Sequence, residues 1–293
     1  MKIVSLPDVS RAQRRVAVGT FDGVHLGHRE VIAGCDSVLT FEPHPVSVVA
    51  PAHAPKLLTD LPRKAELIEA LGVAELIVIP FDQQFASLEA AAFIEDVLVG
   101  ALGAVHVSVG ENFRFGHRAQ GNVELLRADS RFTTTVHPLL EIDGEIVSSS
   151  HIRGLVAAGE VEHAVRFLGA PFMLAGEVVH GDERGRELGF PTANLVPDDR
   201  LACPGHGVYA CRAGEHLAAV SIGVRPTFDT GRAELIEAYL LDFQGDLYGS
   251  TLELSFLERL RGERRFESAA ALVQQMQLDV QHTREIAAAR ERD

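Results

Sequence analysis

Cysteine is scarce in this chain: Cys35, Cys203 and Cys211 are the three in 293 residues, an odd number with no close pair. That argues against a disulfide framework and against the paired-cysteine spacing of a structural zinc site. No apolar run approaches the length of a membrane span, and the start Met1-Lys2-Ile3-Val4 does not read as a signal peptide. The expected compartment is the cytoplasm, with no membrane partner. Basic residues are also few, 27 Lys and Arg against 41 Asp and Glu, for a formal net charge of −14. Nonspecific nucleic-acid binding depends on Lys and Arg neutralising phosphates, so nucleic acid is not an expected partner. Small phosphorylated ligands stay open, because backbone amides and a few local cations can hold them. Internal repeats and low-complexity segments are lacking too, and the chain is read as a monomer or weak homo-oligomer.

What is present is the profile of a globular protein, 46% hydrophobic and 23% charged, long enough for two domains of ordinary size. The first half alternates short β-branched runs (15–18, 37–41, 75–79, 104–109, 132–136) with helical patterns near 61–71 and 88–102. That alternation predicts βαβ units in a parallel sheet. The polar stretches "GTFDGVHLGH" (19–28), "FEPHP" (41–45), "PFDQQF" (80–85) and "GENFRFG" (110–116) all fall where strands end. Ligands of open parallel sheets bind outside the carboxyl ends of the strands, so one sheet edge is expected to collect them.

Past residue 136 the cadence changes. Asp143-Gly144 signals a hairpin turn, and Ser149 or Ser150 can cap a helix over 151–158, followed by another near 160–168. Short alternating runs then recur at 172–179, 191–195, 207–212, 217–223, 234–242 and 251–257, which predicts a small antiparallel barrel. An amphipathic helix over roughly 268–290 closes the chain, and the domain boundary is placed near Gly169-Ala170-Pro171. The expected domains are therefore 1–169 and 170–293.

His25 and His28 stand three apart in a loop spaced by Gly19, Gly23 and Gly27. A zinc site would need further ligands, and no nearby Cys/His cluster supplies them. A turn decorated by histidines without a role is the bland alternative. The phosphate reading accounts for more: a strand enters a glycine-rich turn, the turn opens a helix near Gly27, and two imidazoles stand ready to donate to a phosphate. Phe113 and Phe115 fit either a core or a platform for a flat ring.

In the second half, "HGDERGRELGFPTAN" (180–194) has glycines at 181, 185 and 189 and arginines at 184 and 186, which suits a loop folding over phosphates or a plain surface turn. Thr192 and Asn194 follow a proline and fit either a turn or an oxygen-ligand pair. Strand parity puts Glu237 on a face with Leu235, Tyr239 and Leu241. A carboxylate on a mainly apolar face is costly unless paired or used, an edge strand with a solvated glutamate being the alternative.

"GTFDGVHLGH" resembles the H-x-G-H motif of the nucleotidyltransferase superfamily. With "TFEPHP" (40–45), "VGENFRFG" (109–116) and "VSSSHIR" (147–153) it is similar to the adenylyltransferase half of the prokaryotic bifunctional riboflavin kinase/FAD synthetase family. "GRELGFPTANL" (185–195) and "LLDFQGDLYG" (240–249) resemble the kinase half, so the likeness runs over nearly the whole chain. The resemblance implies a Rossmann-like α/β nucleotidyltransferase domain with a parallel sheet, then a small antiparallel β-barrel riboflavin kinase domain with a C-terminal helix. It implies phosphorylation of riboflavin to FMN and adenylylation of FMN to FAD, with ATP, riboflavin and FMN as substrates and Mg²⁺ as cofactor.

Residue by residue, the family's motifs place His25 and His28 on the ATP phosphates, within a phosphate-binding stretch that includes Gly19, Phe21 and Gly27. Ser149, Ser150 and Arg153 would bind the departing pyrophosphate. Phe41, Pro43, His44 and Asn112 would meet the flavin. In the kinase half, Gly185 and Arg186 would bind ATP, Thr192 and Asn194 would hold Mg²⁺, and Glu237 would be the general base. One departure stands out: "REVIAGCDSVL" (29–39) leaves room for a first helix of little more than two turns, shorter than the family's, with Gly34 as its stop. A chain retaining the kinase with a weakened adenylyltransferase, or a non-catalytic flavin- or nucleotide-binding regulator, are the competing readings.

Overall fold

The computed structural model describes residues 1–180, 190–227 and 231–290. Two compact units follow one another along the chain, Met1–Ser149 and Ser150–Asp293.

The first unit is built on six parallel strands, β1 (Lys2–Ser5), β2 (Arg14–Val18), β3 (Ser37–Glu42), β4 (Glu75–Pro80), β5 (Ala104–Gly110) and β6 (Thr133–His137), in the order β1-β4-β3-β2-β5-β6. Alternate residues of the central strands feed two cores. Val16, Val18, Leu39, Ile77 and Val107 pack on one face with Phe93 and Leu98, while Ala17, Val38 and Leu76 pack on the other with Val31, Ile32 and Ile68. Burial on both faces explains why these runs read as continuously apolar. The first face is covered by α5 (Ala90–Ala92), which runs into a π-helical stretch (Phe93–Ala101), and the second by α1 (Leu26–Ile32) and α3 (Leu61–Glu69).

From β2 the chain steps outward through β3 to β4 and then returns to place β5 on β2's other side. The strand order therefore reverses at β2, and a crevice opens between the loops after β2 and β5, where open α/β sheets bind ligands. Helix α1 is seven residues long and ends at the Ala33 cap, with Gly34 left-handed at φ 73°, so the expected short helix and its stop are both present. A small hairpin, β7 (Glu141–Ile142) and β8 (Glu145–Ile146), turns on left-handed Asp143 and Gly144 at φ 52° and 83°.

Helix α7 (Ser149–Ala158) opens at the division between the units, and α8 (Val161–Leu168) follows. The second unit is a closed antiparallel barrel of β9 (Met173–Val179), β10 (Ala193–Pro197), β11 (Gly207–Ala213), β12 (His216–Thr227), β13 (Gly231–Leu240) and β14 (Thr251–Arg261). Its interior alternates as the sequence does: Val220, Ile222, Ile236 and Ala238 are fully buried, whereas Ser221, Leu235, Glu237 and Tyr239 are half-buried on the outer face. The last helix, α9 (Ala269–Arg290), is fixed by buried Asp279, which accepts hydrogen bonds from Arg261 Nε at 3.1 Å and Nη2 at 2.8 Å.

Candidate active sites

The loop after β2 is held in a conformation that costs free energy. Phe21 and Val24 have left-handed backbones, φ 48° and 41°, an outlier geometry for a β-branched residue such as Val24. Burial and hydrogen bonds hold it. Phe21 and Val24 are in the core at 1% and 0% exposure. Buried Asp22 accepts the backbone N–H groups of Leu58 at 2.8 Å and Thr59 at 3.1 Å through Oδ1. Gly23 N–H donates to Thr59 Oγ1 at 3.0 Å, Thr40 Oγ1 donates to the Thr20 carbonyl at 3.1 Å, and Ser149 Oγ donates to the Asp22 carbonyl at 2.9 Å.

That frame delivers His25 to the N-cap of α1, where its Nδ1 accepts the His28 N–H at 3.2 Å. The two imidazoles stack with centroids 3.5 Å apart and planes 15° apart, and the Phe21 ring meets His28 edge-on at 5.3 Å. His25 is buried at 5% exposure, whereas His28 faces a cavity. Its Nδ1 is buried and has no hydrogen-bond partner among the described residues. Burial pulls the His28 pKa well below its ordinary 6.5, and the neighbouring His25 and Lys64 add to that effect. A neutral imidazole at the cavity wall can donate a hydrogen bond to a ligand there.

The cavity has a volume of ≈ 700 Å³ and lies over the crevice predicted by the strand order. Of the expected site residues, Gly19, Phe21, His28, Phe41, His44 and Asn112 line it. His25, Gly27 and Pro43 lie outside its wall: His25 caps α1 beneath His28, Gly27 is in α1's first turn, and Pro43 follows a cis peptide bond at the end of β3. His44 caps α2 (Pro45–Val49), its Nδ1 accepting the Val46 N–H at 3.2 Å. A chain of aromatic rings backs the wall, Phe41 to Phe81 at 5.8 Å, Phe81 to Phe85 at 5.7 Å, and Phe93 to Phe115 at 5.2 Å. Phe113 stacks on Phe115 at 5.6 Å; Phe115 belongs to the core, Phe113 packs against it, and both line the cavity.

Ser149 belongs to the frame of the first unit, as its bond to Asp22 states. In the second unit, Arg153 Nη2 donates to Ser150 Oγ at 3.2 Å across the first turn of α7. On the barrel, Asn194 of β10 and Ser221 of β12 both stand opposite Glu237 of β13 in the strand registers. Cross-strand partners share a face, so Asn194, Glu237 and Ser221 form one polar row on the outer surface. Asn194 is buried at 8% exposure, and Thr192, two residues earlier, is half-buried. Gly185 and Arg186 lie outside the described residues. Among the described residues no group of three or more His, Cys, Asp or Glu could hold a metal ion.

Sequence reasoning passed over Asp22, Thr59, Thr40 and Ser221. The first three act through loop contacts across 20 to 37 residues of sequence, and no spacing rule signals those. Ser221 was accessible in principle, since its alternation with buried Val220 and Ile222 marks it as an outward polar residue.

A family model described as FAD synthetase matches residues 9–151, and one described as riboflavin kinase matches 168–287. The bifunctional riboflavin kinase/FMN adenylyltransferase of Listeria monocytogenes is 38% identical over 92% of this chain and 91% of its own length. The chain belongs to the bifunctional riboflavin kinase/FMN adenylyltransferase family. The family member of the same name from Escherichia coli is 37% identical, over 92% of this chain and 91% of its own. A crystal structure described as a macrolide-efflux protein from Streptococcus pneumoniae shares the family's two-part fold at TM-score 0.88 and 31% identity, covering 97% of this chain and 99% of that one. Efflux is that protein's description; among the described residues here no helix is long and apolar enough to cross a membrane.

Proposed function

We propose that the chain phosphorylates riboflavin to FMN and adenylylates FMN to FAD, spending one ATP in each step. The observation that carries the adenylyl transfer is His28, a neutral imidazole lining an aromatic cavity over the sheet's switch point. In that step an oxygen of the FMN phosphate attacks the α-phosphorus of ATP and pyrophosphate leaves. His28 donates a hydrogen bond to the phosphate oxygens as charge builds on them. His25 orients it, by stacking and by taking the His28 N–H, and belongs to the same phosphate-binding stretch with Gly19, Phe21 and Gly27. A Cβ on Gly27 would meet nothing closer than 3.5 Å, so the fold itself does not demand glycine there; close approach of a ligand does. The aromatic wall with Phe41, Pro43, His44 and Asn112 takes the flavin, and Ser149, Ser150 and Arg153 take pyrophosphate, on the strength of the family motif.

The barrel carries the kinase step. Glu237 accepts the proton of the riboflavin 5′-hydroxyl as its oxygen attacks the γ-phosphorus of ATP and ADP departs. Asn194 stands opposite that carboxylate in the strand register and Thr192 lies two residues before Asn194, neutral oxygen donors of the kind that suits Mg²⁺ completed by phosphates and water. Bound there, the ion would neutralise phosphate charge. Gly185 and Arg186 are assigned to ATP on the motif alone. This reading takes 1–169 as the adenylyltransferase and 170–293 as the kinase, working in the cytoplasm as a monomer or weak homo-oligomer. Matches to both family models leave the kinase-only and regulator readings unfavoured.

The test is a product assay: purified protein with riboflavin, ATP and Mg²⁺, sampled over time and resolved by chromatography. FMN followed by FAD is expected. Absence of product from either flavin, with the flavin still bound, would leave a binding protein and overturn the proposal.

A further inference from the structure

The chain carries 41 Asp and Glu, yet among the described residues none lines the first unit's cavity. Its ionisable wall consists of His28, His44, His117, Arg114 and Arg118. The two permanent cations come from one loop, the one after β5. A carboxylate-free, arginine-bearing wall in so acidic a protein is selective for an anion.

That loop is built to present Arg118. Arg118 and Ala119 are consecutive non-glycine residues in the left-handed region, at φ 52° and 58°, a conformation that L-residues adopt only at a cost. The loop is pinned on both sides. Phe115 and Gly121 exchange backbone hydrogen bonds of 3.2 Å and 2.8 Å at its base, and His117 N–H donates to the Leu88 carbonyl at 2.7 Å. Gly116 packs so tightly on Ala90 that a Cβ would come within 2.7 Å of its backbone. The guanidinium of Arg118 has neither a hydrogen bond nor an ion pair among the described residues, whereas Arg114 reaches back to the Phe113 carbonyl at 3.5 Å.

We propose that Arg118 binds the 5′-phosphate of FMN and is the residue by which the adenylyltransferase site prefers FMN to riboflavin. This rests on the reading of that site given above. FMN and ATP both bring phosphate, and the placement favours FMN. The ring platform Phe113/Phe115 and Arg118 belong to one loop, whereas the stretch assigned to ATP phosphates follows β2. A flavin stacked on that platform carries its phosphate on the same loop's reach, and a planar guanidinium pairs two of its oxygens at once. Riboflavin has a neutral hydroxyl in that place and gains nothing from the charge.

The experiment is steady-state FAD formation by the full chain with Arg118→Ala and Arg118→Lys. Loss of a charge-assisted contact is expected to raise KM for FMN about 10- to 100-fold. KM for ATP and inhibition by added riboflavin should stay within about twofold, and Arg118→Lys should recover part of the loss. An unchanged KM for ATP in FAD formation by the same preparations confirms a folded first unit. An unchanged KM for FMN overturns the inference, and so does a parallel rise in KM for ATP, which would assign the arginine to the nucleotide. A wild-type chain that makes no FAD overturns the underlying reading instead.

Discussion

His25 and His28 are stacked face to face at 3.5 Å, and the lower ring accepts the backbone N–H of the upper one. The pair is therefore asymmetric. His25 has one nitrogen committed to capping α1, and its burial keeps it out of the cavity wall, whereas the His28 ring lines that wall. Removing His28 should strip the adenylyl transfer of its hydrogen-bond donor. His28→Ala is expected to lower kcat for FAD formation from supplied FMN by about 10²- to 10³-fold. Riboflavin phosphorylation by the same protein should stay within about twofold, and equal loss of both activities would contradict the assignment of the two steps to two units.

The same burial makes stability depend on pH. His28 titrates well below its ordinary 6.5 in the folded chain, because burial, then the charges of His25 and Lys64, disfavour the imidazolium. The unfolded chain takes up a proton near 6.5 while the folded chain does not. The contribution of His28 is thus intact above that pH and is lost as pH falls from it toward the depressed folded value. Urea unfolding of wild type and His28→Asn at pH 8 and pH 5.5 measures this. Wild type should lose more stability between the two pH values than the variant, and equal losses would mean that His28 protonates freely in the folded protein.

How much of this was legible in the sequence depends on whether a feature is local. Strand ends and their polar loops are local, so the sheet edge carrying His28, Phe41 and Asn112 could be read from alternating runs. The barrel followed from its cadence of turns. β1 did not, because four residues beginning with an exposed Lys2 and Ile3 show no burial pattern, and pairing with β4 defines them as a strand. The spacing of His25 and His28 makes the rings neighbours but does not say which one lines the cavity. That depends on a left-handed turn at Phe21 and Val24 and on hydrogen bonds that Asp22 accepts from a segment 36 residues away.

Asp22 is accordingly expected to matter as much as a cavity residue. Asp22→Ala leaves the Leu58 and Thr59 N–H groups buried without their acceptor, at a cost of about 1–3 kcal/mol for each. The strained turn then has less to hold it. The variant should unfold at lower temperature by calorimetry and lose FAD formation well before riboflavin phosphorylation. Asp22→Asn keeps an oxygen acceptor and should recover much of both. A stable Asp22→Ala protein with normal FAD formation would show that packing of Phe21 and Val24 alone sets the loop.

Glu237 is the counterpart in the barrel. It stands half-buried on the outer face between Asn194 and Ser221, on strands whose other face buries Val220, Ile222, Ile236 and Ala238. Glu237→Gln preserves shape and hydrogen-bonding capacity while removing the carboxylate's basicity, so it separates proton abstraction from positioning. Riboflavin phosphorylation should fall by about 10²- to 10⁴-fold. FAD formation from supplied FMN should be untouched, because that chemistry uses the cavity over the parallel sheet. A kinase rate unchanged in Glu237→Gln would remove Glu237 from the role of base and leave it as a neighbour of Asn194 and Ser221.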